Sequence, residues 1–105
     1  MTGRYRIQIL PSAARQVEGL PRQARAPVRD AIDALAEEPR PFGYDVLSGA
    51  PKERIHRIRV GNYRILYQVF DKHLVVLVVR VADRREVYGD KFLRRLRRQL
   101  RNSLR

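Results

Sequence analysis

The chain has 105 residues, 44% of them hydrophobic, and a formal net charge of +12. That length supports one domain with a single modest core, and that hydrophobic share excludes a disordered basic tail. The absence of cysteine removes disulfides and thiolate zinc sites, and the longest apolar run, residues 74–79, is far too short to span a bilayer.

No signal-peptide pattern opens the chain, so a cytoplasmic protein with no membrane partner is expected. Residues 5–10 read as a strand, with Tyr5, Ile7 and Ile9 alternating against Arg6, Gln8 and Leu10. Ser12 is placed to cap a helix running to about residue 20. Past Pro21 a second helix carries Val28, Ala31, Ile32 and Leu35 at three- and four-residue spacing. Pro27 removes a donor there, which predicts a kink or a start near Arg25. The stretch PRPFGYDVLSGAPKE, residues 39–53, is rich in proline and glycine and reads as loop. Strands follow over residues 54–60, 63–70 and 73–81, joined by Gly-Asn and Asp-Lys turns. The last is almost wholly Val and Leu, as in a central strand buried on both faces. Residues 90–104 read as a basic helix with Phe92, Leu96 and Leu100 at four-residue spacing.

The expected fold is therefore a small α+β domain over residues 1–105, in the order β-α-α-β-β-β-α. Its two N-terminal helices cover one face of a mainly antiparallel four-stranded sheet.

The charge is one-sided. Residues 1–50 carry seven Lys/Arg against six Asp/Glu, whereas residues 51–105 carry sixteen against five. Such an excess suits a polyanion, because each neutralised phosphate releases counterions. It does not choose among ribosome, RNA, DNA and acidic protein. In HRIRVGNYRILYQV, residues 56–69, a Gly61-Asn62 turn sets Arg59 opposite Arg64 and Arg57 opposite Leu66. Like charges facing each other destabilise a strand pair, so an anion outside the hairpin is expected to compensate. Arginine suits a phosphate, since its planar fork donates two parallel hydrogen bonds and stays ionised. Arg84, Arg85 and Tyr88 follow the last strand, where Tyr88 can stack on a base or bond to ribose. Asp83 and Glu86 are the nearby carboxylates, suited to pairing with Arg57 or Arg84 or to accepting a proton. The stretch lacks further oxygen ligands, so no metal site and no cofactor are expected. By parity His56 faces the helices as a core residue, and His73 lies at a turn.

These residues resemble the RelE/ParE superfamily of bacterial type II toxins, closest to its RelE-like branch. The resemblance runs from SAARQVEGLP through LAEEPRPFGYDVLSG to HRIRVGNYRILYQVFD and VVRVADRREVY. It implies a ribosome-dependent endoribonuclease that cuts mRNA in the A site by attack of the 2′-hydroxyl, held inactive by an acidic, RelB-like antitoxin. The catalytic set it implies is Arg57, Arg59, Arg64, Arg84 and Tyr88, with Asp83, Arg85 and Glu86 as possible accessories. Arg94, Arg95, Arg97 and Arg98 are expected to dock on ribosomal RNA. Relatives often carry lysines at the positions of Arg57 and Arg59, and a histidine at that of Asp83. The alternatives are a ParE-like poison of DNA gyrase and a non-catalytic basic RNA-binding module.

Overall fold

The computed structural model describes residues 4–47 and 54–84, together with Arg98. Its elements are β1 (Arg6–Ile9), α1 (Pro11–Glu18), α2 (Arg22–Ala34), β2 (Asp45–Leu47), β3 (Ile55–Val60), β4 (Tyr63–Phe70) and β5 (Val75–Asp83). They form a mixed sheet in the order β1-β5-β4-β3-β2. β1 runs parallel to β5, and every other neighbour is antiparallel.

Two helix expectations change. Leu10, not Ser12, holds the N-cap position of α1, with Pro11 at the start, where a missing amide donor costs nothing. Pro27 neither breaks α2 nor delays its start. It withholds a donor from the Gln23 carbonyl, but Gln23 and Pro27 are both exposed, so water can satisfy that group.

The expected architecture also needs correction. The described residues build five strands where four were expected, and the last element they hold is the strand β5. The added strand is β2, inside the stretch read as loop. Asp45, Val46 and Leu47 pair with Arg57, His56 and Ile55. Three residues are too few to show alternation, and Pro41 and Gly43 just before them disguise the strand. The helix expected over residues 90–104 lies outside the described residues, Arg98 apart.

One buried cluster holds the fold together. Ala13, Val17, Val28, Ile32 and Leu35 enter it from the helices, and Ile58, Ile65, Tyr67, Val76, Val78 and Val81 from the sheet. Leu66 and Leu77, of the opposite parity, are buried as well. β4 and β5 therefore bury side chains on both faces, which explains their near-continuous apolar runs. None of the described helices is long and apolar enough to cross a membrane.

Candidate phosphate-binding face

Residues directly opposite in neighbouring strands share a face of the sheet. Two rows of the register therefore define the candidate site. One crosses β2 to β5 as Asp45, Arg57, Leu66 and Arg80; the next crosses β3 to β5 as Arg59, Arg64 and Ala82. Four guanidinium-bearing positions thus surround the buried pair Leu66 and Ala82. The Gly61-Asn62 turn creates this register. Gly61 has φ +58°, a conformation open to glycine at little cost.

The arginines are not equivalent. Arg57 forms a salt bridge through Nη2 to Asp45 Oδ2, and its side chain is only 20% exposed. Its Nε is buried and without an acceptor among the described residues. The Arg57 guanidinium holds the Asp45 carboxyl below the ordinary carboxylate range, with a smaller contribution from Arg59. Arg64 turns back on the hairpin, donating from Nη1 to the carbonyls of Tyr63 at 3.1 Å and Gly61 at 3.3 Å. Arg59 is exposed and makes no hydrogen bond or ion pair among the described residues. The Arg84 amide donates to the Asn62 carbonyl at 2.7 Å, fixing that residue beside the same turn.

A bulge decides which β5 side chains join this face. Leu66 pairs with Arg80 while Tyr67 pairs with Val78, so Val79 is the extra residue. Plain alternation from Val76 and Val78 would send Arg80 toward the helices. The bulge reverses the parity and brings Arg80 to the arginine side. At this level of β5, Gln16 of α1 reaches in, its Oε1 accepting from the Val81 amide at 2.8 Å. Asp83 lies opposite Tyr63, on the parity of Ile65 and away from Arg64. Among the described residues the acid on the arginine face is Asp45, not Asp83.

Sequence reasoning missed Asp45 and Arg80. Arg80 left a signal, a lone charge in a run of valines, but only the bulge gives it direction. Tyr88, Arg85, Glu86, Arg94, Arg95 and Arg97 lie outside the described residues; Arg98 is exposed.

Two further clusters flank the sheet without joining this face. His56 is buried between Tyr44, stacked at 5.5 Å between ring centroids, and Tyr67 at 5.3 Å. Burial, then Arg40 and Arg54, lowers its pKa and favours the neutral ring. Burial also raises the Tyr67 phenol, which donates to the Pro39 carbonyl at 2.7 Å. Asp71 accepts from both Nη atoms of Arg40 at 3.1 and 2.9 Å and from the Tyr5 hydroxyl at 2.6 Å. Arg40, then Tyr5, pulls that carboxyl down to about 2.

A helical pair packed on a mixed sheet, with arginines ranked in register on the far side, defines a small α+β protein suited to holding a polyanion. Comparison with known proteins specifies the class. Residues 7–88 match the family model for the ParE toxin of the type II toxin-antitoxin system, parDE. Toxin RelE of Mycobacterium tuberculosis is 31% identical over 85 residues, 80% of this chain and 86% of the relative. Toxin RelG of the same organism is 32% identical over 88 residues, covering 80% and 95%. The archaeal RelE-RelB complex from Pyrococcus horikoshii OT3 contains a chain that superposes with a TM-score of 0.68 at 27% identity, over 79% of this chain and 98% of that one. The toxin-antitoxin complex RelBE2 of M. tuberculosis gives 0.65 at 28% identity, over 76% and 98%. The protein belongs to the RelE/ParE superfamily of type II toxins.

Proposed function

We propose that this toxin is a RelE-like endoribonuclease that cleaves mRNA in the ribosomal A site, and that a cognate antitoxin restrains it. The observation that carries the reading is the pair of register rows that gathers Arg57, Arg59, Arg64 and Arg80 on one sheet face. The RelE and RelG relatives and the RelE-containing complexes support the same branch.

In the proposed reaction the ribose 2′-oxygen bonds to the adjacent phosphorus while the bond from phosphorus to the 5′-oxygen breaks. A 2′,3′-cyclic phosphate and a 5′-hydroxyl result, the 2′-proton leaving to an acceptor and the 5′-oxygen gaining one. Negative charge gathers on the nonbridging oxygens in the pentacoordinate transition state, and fixed cations stabilise it there. Arg59 and Arg64, opposed across β3 and β4, supply two such cations from a rigid platform. Arginine stays protonated at neutral pH, so these side chains hold charge and position the phosphate, and do not relay the proton. The ribosome contributes the alignment of the codon. Arg84, beside the turn, is assigned to the leaving 5′-oxygen.

The description of the matching family model as ParE supports a second reading, a gyrase poison. Inducing the toxin and mapping RNA 5′ ends, alongside a gyrase supercoiling assay, separates the two. Ribosome-phased cuts in coding regions are expected. Intact messages with inhibited supercoiling would overturn the proposal.

A further inference from the structure

The hairpin arginines face each other without an acid in their own strands, yet β2 brings one to them. Asp45 sits directly across from Arg57 and accepts from its Nη2, one arm of the fork. A carboxylate on an arginine fork occupies the donors that a phosphate would use, since both anions accept the same paired hydrogen bonds. Of the two other guanidinium nitrogens Nε is buried, so at most Nη1 is left to an incoming ligand, and no paired grip on a phosphate forms while Asp45 holds Nη2. Arg59, one row along, has no such occupant among the described residues. The face is thus divided into an open cation and one already engaged.

We propose that Asp45 is a built-in anion that holds Arg57 in place of the substrate phosphate and is displaced when that phosphate enters. This rests on the assignment of the face to RNA. Its consequence is selectivity. Loosely bound RNA meets Arg59 and Arg64 but not Arg57, whereas RNA seated in register takes the Arg57 fork from Asp45. The geometry permits the exchange. β2 is an edge strand of three residues, and the Asp45 side chain is 46% exposed, so the carboxylate can swing into water without being stranded. The pair is open to water on its Asp45 side, which screens it enough for a phosphate to compete.

The test uses a short fluorescein-labelled single-stranded RNA and the purified toxin, with affinity read by anisotropy across a salt series. Asp45→Asn is expected to tighten binding about threefold, the scale of a weak exposed pair. It is also expected to steepen the salt dependence by about 0.7 in log-log slope, the increment for one added phosphate contact on a single strand. Removing a negative charge would raise affinity even without a gate, so the decisive comparison is Arg57→Ala in both backgrounds. That substitution should cost less than about twofold in the natural sequence and about fivefold in the Asp45→Asn background. Equal costs in the two backgrounds, or an unchanged slope in Asp45→Asn, overturn the proposal. Arg59→Ala and Arg64→Ala separate this from the broader reading. If they weaken RNA binding while the Arg57 costs are equal, only the gate fails; if they leave it unchanged, the RNA face falls and the gate with it. Asp45→Ser repeats the measurement, and loss of the folded circular dichroism signal in both Asp45 variants would make the residue structural and likewise overturn it.

Discussion

Arg59 and Arg64 face each other across the β3–β4 hairpin, two cations in direct register on a sheet face that also carries Arg57 and Arg80. Facing like charges destabilise a strand pair by roughly 0.2–1 kcal/mol. Arg64 offsets part of this by donating to the Tyr63 and Gly61 carbonyls, bonds that together contribute on the order of 1 kcal/mol when exposed. The two effects nearly cancel. Arg64→Ala should therefore abolish growth inhibition while shifting the melting temperature by no more than about 4 °C. Induction at matched expression, with a thermal melt of the purified variant, checks both halves. Full toxicity would remove Arg64 from the site.

The Asp71 cluster predicts acid sensitivity. Its carboxyl is held near 2 by Arg40 and Tyr5, below its unfolded value. The unfolded chain therefore takes up the proton first as pH falls. Stability from the cluster is complete above about pH 4 and is lost as pH falls through 2. A shift of this size corresponds to roughly 2–3 kcal/mol if unscreened. The Asp71 side chain is 55% exposed, however, and screening reduces the contribution to about 1 kcal/mol. Urea unfolding of Asp71→Asn and the natural sequence should differ by about that much at pH 7 and converge near pH 2. A difference that persists in acid would assign the cluster's effect to packing.

How much of this was legible in the sequence depends on what fixed each feature. Gly61-Asn62 is a strong turn signal, and it alone determines that Arg59 meets Arg64. The Arg57–Asp45 pair was illegible because it depends on a strand too short to alternate, hidden in a proline- and glycine-rich stretch. Arg80 was illegible for another reason. Its direction is set by the bulge at Val79, and a run such as VVLVVRV offers no alternation from which an extra residue can be read. Local turn chemistry shows in sequence, while edge pairing and bulges follow from tertiary packing.

His56 gives a test at milder pH. Its ring is buried between Tyr44 and Tyr67, and burial lowers its pKa from the ordinary 6.5. The unfolded chain binds the proton more readily, so stability falls as pH drops below about 6.5. His56→Phe keeps an aromatic ring in the stack and removes the titrating group. Melting temperatures between pH 7.5 and 5.5 should decline for the natural sequence and stay nearly flat for the variant. Parallel declines would show that other groups set the slope.

The antitoxin complex gives the last test. A chain with net charge +12 attracts an acidic partner, but attraction between exposed charges fades as salt shortens the Debye length from about 10 Å at 0.1 M to about 3 Å at 1 M. A restraint built only on charge would release the toxin over that range. The described surface offers an apolar alternative. Phe42 is fully exposed, and Tyr44 and Val46 are about 40% exposed. Phe42 and Tyr44 line a groove of ≈ 580 Å³ with Leu35, Ile58 and Val60, between α2 and β3. Apolar surface buried there contributes roughly 25 cal/mol per Å2, largely independent of ionic strength. Stable interfaces combine such an apolar centre with a polar rim. The affinity of the complex should therefore fall by no more than about a hundredfold between 0.1 and 1 M salt, the part lost belonging to the rim. Phe42→Ser should weaken the complex by a factor that stays constant across the series, whereas Arg59→Ala should weaken it mainly at low salt. Isothermal titration across the salt range reads both. A collapse of several orders of magnitude in the natural pair would make the interface ionic at its centre and refute this division.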